Sequence, residues 1–182
     1  MDEMDRFDSN DNSVSSQEEA EVLAALEQLE YEQNFPMAVV AGTIGALVGA
    51  ALWAWVTVLA DAQIGWMAIA VGFLVGLAVR IFGKGLDKAF GIVGAALSLL
   101  GCVVGNVFAI CGIVASGGEV GFFELLQNTA LIKQLFQASF HPMDLLFYGI
   151  ATFMGYRTSF RRLTMEELGE RFNVSPEEGQ AP

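Results

Sequence analysis

The chain is predicted to be all-α, a membrane bundle of four transmembrane helices with an amphipathic segment between the third and the fourth. Three observations predict it. The 182 residues are 54% hydrophobic yet carry a formal net charge of -12, and the two facts are reconciled by segregation. Eleven of the 21 acidic residues precede Phe35, while the apolar residues crowd between Phe35 and Phe160. The apolar stretch is broken into runs long enough to cross about 30 Å of hydrocarbon, and the cations cluster at the ends of those runs and in the C-terminal segment, with none from Ala89 to Ala115. The third observation is a stripe of small residues, Gly91, Gly94, Ser98, Gly101, Gly105 and Gly112, recurring at steps of three, four and seven with Phe108 as its one large member. In a soluble helix each glycine costs about 1 kcal/mol against alanine. In lipid such a groove lets another backbone approach closely and gain dispersion contacts.

Residues 1–34 read as an acidic cytoplasmic tail. The first fifteen, rich in Asp, Asn and Ser, bury almost nothing and are expected to be disordered. They lack the basic start and early apolar run of a signal peptide. Ser16 and Glu19 have capping-box spacing and open an expected helix to Glu32, with Val22, Leu23, Leu26 and Leu29 on one side. That face either docks into a basic-rimmed groove on a cytoplasmic protein partner, through residues 16–32, or belongs to a solvated spacer.

The transmembrane domain is expected over 35–160. Its first span, about 35–60, carries Gly45 and Gly49 four apart, with Trp53 and Trp55 near the far end, where aromatic rings favour the headgroup level. The short turn 61–64 forces an antiparallel hairpin with the second span, about 65–82, which bears Gly72 and Gly76. Gly83 and Gly85 are expected to tighten the next turn around Lys84. Neither a Walker spacing nor a following hydroxyl is present, so no phosphate loop is read there. The glycine-striped third span runs about 89–115. Five polar residues, Glu124, Gln127, Asn128, Gln134 and Gln137, interrupt the stretch 119–140, and this makes an interfacial or re-entrant segment the better reading. Pro142 suits the first turn of the last span, about 142–158. Residues 161–182 form the second cytoplasmic tail, with Thr164 and Glu167 repeating the capping-box spacing.

With both termini cytoplasmic, Arg6, Arg80, Lys84, Lys88, Arg157, Arg161, Arg162 and Arg171 fall inside and Lys133 alone outside. Eight cations against one is a strong positive-inside bias, expected for the inner (plasma) membrane. The chemistry is sparse. No ionisable residue lies from Ala89 to Ala115, whereas catalysis or coupling inside a membrane uses buried ionisable groups. Asn106, the most polar interior side chain, either hydrogen-bonds a neighbouring helix or lines a polar path. His141 and Asp144 lack the third group and nucleophile of a hydrolase and fit a helix start. Cys102 and Cys111, nine apart, point to opposite faces of one helix. No catalytic residue, metal site or cofactor is read from the sequence, and a basic nucleic-acid-binding region is missing.

The runs IGWMAIAVGFLVGLAVR (Ile64 to Arg80), FGIVGAALSLLGCVVGN (Phe90 to Asn106) and PMDLLFYGIATFMGYRTSFR (Pro142 to Arg161) resemble those of uncharacterised small bacterial polytopic membrane proteins, often carried behind variable soluble N-terminal segments. The resemblance implies an envelope location and a modular membrane anchor, and no catalytic residues. The expected function is a non-enzymatic membrane anchor or scaffold presenting its acidic tails to a partner, with homo-oligomers formed through glycine faces. The alternative is a small oligomeric channel or transporter whose pore is lined by Gly, Ser98 and Asn106.

Overall fold

The computed structural model describes residues 20, 23–24, 27–61, 65–118 and 120–160. Among the described residues the regular structure is all helical, with no strands. Two units are distinguished, Asn34–Arg161 and a second comprising Met1–Gln33 with Arg162–Pro182. Within the first, six helices follow in order: α1 (Phe35–Ala60), α2 (Met67–Gly83), α3 (Lys88–Ser116), α4 (Phe122–Gln127), α5 (Thr129–Ser139) and α6 (Pro142–Ser159). In the second, residues 27–31 are helical, with Leu29 buried and Leu23 exposed. The expected features at residues 1–19, Val22, Leu26 and 161–182 lie outside the described residues.

Each helix starts and stops for a local reason. The Asn34 carboxamide oxygen accepts the Met37 N–H at 3.0 Å, and Pro36 occupies the first turn of α1, where its missing N–H costs nothing. The end of α1 is Asp61 in the left-handed region, φ 47°, its N–H reaching back to α1 carbonyls. At the α2–α3 turn the left-handed residue is Lys84, φ 49°, and neither glycine beside it. Gly83 and Gly85 serve close approach instead: a Cβ on Gly83 would meet the Ala38 Cβ at 2.6 Å, and one on Gly85 would strike the Phe90 ring. The Asp144 carboxylate accepts the His141 N–H at 2.8 Å, which fixes the start of α6.

Contacts between small residues set the helix directions. Gly45 faces Val75 and Ala78 while Gly49 faces Val71, so α1 and α2 are antiparallel. Gly101 meets Ala46 and Gly105 meets Ala50 and Trp53, so α1 and α3 are parallel. Gly72 lies on Ala151, and Gly76 on Gly155 and Thr158, so α2 and α6 are parallel too. The four long helices form a rhombus in which α2 and α3 touch each other and both neighbours, while α1 and α6 make no contact.

Small side chains, three valines and Trp53 fill much of the interior, while many large apolar side chains are left outside. Ala38, Ala50, Ala68, Ser98, Cys102, Ala109 and Ala151 are wholly buried, whereas Ile44, Leu52, Leu59, Phe73, Ile92, Leu100, Leu146 and Phe153 are exposed. Among the described residues two helices, α1 and α3, are long and apolar enough to cross a membrane, and α2 is apolar but only 17 residues long. Trp55 and Trp66, at the α1–α2 turn, are 63% and 70% exposed. Trp53 departs from the expectation of an outer aromatic anchor. It is 1% exposed and packed on Gly105, because two residues along a helix turn the side chain by about 200°. The stretch between α3 and α6 is two short helices broken at Asn128, whose side-chain oxygen accepts the Leu131 N–H at 3.1 Å and caps α5.

Candidate functional site

The centre of the molecule is an interface of small residues crossed by a few polar links. On α3, Gly91 meets the Tyr156 ring, Gly94 meets Gly155 and Ser159, and Gly112 meets Val58. A Cβ at Gly101 would lie 3.0 Å from a Val71 methyl and 3.1 Å from the Ala46 Cβ, and one at Gly105 would lie 2.8 Å from the Trp53 ring. Gly45 and Gly49 on α1 and Gly72 and Gly76 on α2 are likewise all engaged within this one chain. Phe108, the large member of the stripe, turns edge-on to Phe122 of α4 at 5.8 Å.

The polar links lie between helices. Asn106 donates from its amide nitrogen to the Tyr148 hydroxyl at 2.8 Å, joining α3 to α6 in a buried position. Ser98 donates to the Gly72 carbonyl at 3.4 Å, and the Cys102 thiol approaches the Ala68 carbonyl at 3.6 Å. Cys111 faces the other way, into a shallow apolar cleft lined with Ile110, Ile132, Leu135 and Phe136. Both thiols are free and buried. Trp53 Nε1 and Thr57 Oγ1, one turn apart on α1, are buried without a hydrogen-bond partner. Thr57 thus differs from Thr43, Thr152 and Thr158, which each donate to the carbonyl four residues back.

No family model, curated protein or solved structure matches the chain. The geometry therefore carries the functional argument alone.

What it can do chemically is limited. Among the described residues no three His, Cys, Asp or Glu side chains come together as a metal would need. His141 and Asp144 are joined through the His141 backbone N–H, and the His141 ring nitrogen Nδ1 lies 2.8 Å from the Ser139 carbonyl. Both are helix-start contacts. Two groups of interface residues escaped sequence reasoning. Tyr148 gave no periodic signal of its own. Ala151, Gly155 and Ser159 did, since they repeat a small residue every four positions along α6.

Proposed function

We propose that the protein is a non-enzymatic integral membrane scaffold, a bundle of four transmembrane helices in the inner membrane with both tails in the cytoplasm. The single observation that carries this reading is the apolar exterior of the long helices. In the most apolar windows of α1 and α3 only 33% and 44% of residues are buried, whereas the core helix of a soluble protein would be mostly buried. Large apolar side chains cover the outside of α1, α2, α3 and α6, and exposed apolar surface of this kind marks a membrane or protein contact. Lipid solvates such a surface, and the small residues inside supply the packing that hydrophobic burial cannot supply in a bilayer.

The charge distribution supports the orientation. Arg80, Lys84, Lys88 and Arg157 lie at one end of the bundle with Asp87 the single described carboxylate of that unit there, whereas Lys133 shares the other end with Asp61, Glu124 and Asp144. The cationic end belongs in the cytoplasm, and Trp55 and Trp66 then lie at the outer interface. The helices α4 and α5 form an outer interfacial segment, α5 turning Ile132, Leu135 and Phe136 toward the Cys111 side of α3.

The scaffold reading is favoured over a pore because the glycine faces and the Asn106 amide are engaged within one protomer. Homo-oligomers are compatible with this interface and are not needed to explain it. The acidic segment 16–32 is the surface offered to a cytoplasmic partner. Affinity capture with the full chain and with residues 1–32 deleted tests that role. Proteins captured only by the full chain support it, and identical sets refute it.

A further inference from the structure

The outer side of the α2–α6 seam combines exposed arginines with exposed apolar side chains. On α2, Gly72 and Gly76 meet α6, while Val71 and Val75 meet α1. At 100° per residue, this leaves Phe73, Leu77 and Arg80 on the outer side of α2 next to α6. On α6, Ala151 and Gly155 meet α2, while Tyr156 and Ser159 meet α3. By the same geometry Ile150, Met154 and Arg157 lie on the outer side of α6 next to α2. All six are exposed but Met154, which is half-buried. Because α2 and α6 are parallel, the two arginines, each in the last turn of its helix, cap the same end of one exposed apolar strip.

We propose that this strip binds an anionic phospholipid of the cytoplasmic leaflet, with Arg80 and Arg157 taking the phosphate group and Phe73, Leu77, Ile150 and Met154 lying along an acyl chain. The proposal rests on the membrane reading above. Charge complementarity selects the occupant. Guanidinium groups make bidentate, charge-assisted bonds to phosphate, and Arg80 and Arg157 lie at the end of the bundle where cations outnumber carboxylates. A zwitterionic headgroup brings its own cation to the same place and gains less.

The test uses the full-length protein in mixed micelles, titrated with phosphatidylglycerol or phosphatidylcholine, with bound lipid counted by native mass spectrometry. The wild type should prefer phosphatidylglycerol by on the order of 20-fold. The double variant Arg80→Gln/Arg157→Gln should lose most of that preference, Arg80→Lys/Arg157→Lys should recover part of it, and Lys133→Gln, at the opposite end, should keep it. Equal preference in the wild type and the glutamine variant overturns the proposal. So does competition by glycerol 3-phosphate at the strength of the lipid, which would mark a free-phosphate site. A protein that floats with vesicles yet shows no preference removes the lipid site alone, whereas one that fails to float removes the membrane reading with it.

Discussion

Gly72→Ala is the sharpest probe of the packing. The added methyl would overlap the Ala151 carbonyl oxygen and lie 2.8 Å from Ala151 C and 2.9 Å from its Cα. All three are backbone atoms of α6, so no side chain can swing away and the helix itself must retreat. Overpacking of this kind costs about 1–3 kcal/mol. The usual offset from replacing glycine in a helix, about 1 kcal/mol, shrinks when the unfolded state in a micelle keeps its helices. We expect a net loss of about 2 kcal/mol. Gly149→Ala is the internal control, since nothing lies within 4 Å of a Cβ there, and it should be neutral or stabilising by up to about 1 kcal/mol. Gly45→Ala should fall between them, its Cβ meeting the Ala78 methyl at 3.2 Å. Unfolding by a denaturing detergent in mixed micelles, followed by fluorescence with Trp53 as the buried reporter, gives the order. If Gly72→Ala matches Gly149→Ala within about 0.5 kcal/mol, close backbone approach of α2 and α6 is not what holds the bundle.

Other perturbations address the polar links and the centre of α3. A double-mutant cycle with Asn106→Leu and Tyr148→Phe should give a coupling of about 0.6 kcal/mol, and at most about 2, by the same unfolding assay; no coupling would mean the bond adds nothing. Thr57→Val should be neutral or stabilising, because the hydroxyl it removes is buried without a partner, and a clear loss of stability would show that Thr57 has a partner in the bilayer. Gly101→Leu should prevent folding altogether, since even a Cβ there sits 3.0 Å from Val71 and 3.1 Å from Ala46; circular dichroism and size-exclusion in detergent would reveal an aggregated species, and a monodisperse variant would refute a central place for α3.

Much of the fold was legible because the signals were local. The 26-residue apolar run and its Asn34–Pro36 start define α1, and Gly91 to Gly112 mark the face of α3 that other helices approach. Less legible was anything that depends on which way one side chain turns. Trp53 and Trp55 look alike in the sequence, yet one fills the space left by Gly105 and the other is exposed. The turn between α2 and α3 offers two glycines, but the left-handed backbone falls on Lys84 between them, because both glycines are claimed by tight contacts. The break at Asn128 rests on one side-chain cap. The Asn106 partner required knowing that α6 runs antiparallel to α3, a fact encoded in the Ala151, Gly155 and Ser159 spacing only once Gly94 and Ser98 are set against it.

The membrane bundle requires that its two ends lie on opposite sides of a membrane. Single cysteines at Gln137 and Lys88, both exposed and at opposite ends, would be introduced after the buried Cys102 and Cys111 are replaced by alanine, and probed in whole cells with an impermeant maleimide. Gln137→Cys should react in intact cells and Lys88→Cys only after permeabilisation. Labelling of both positions to the same extent in intact cells, or the reverse pattern, would contradict it.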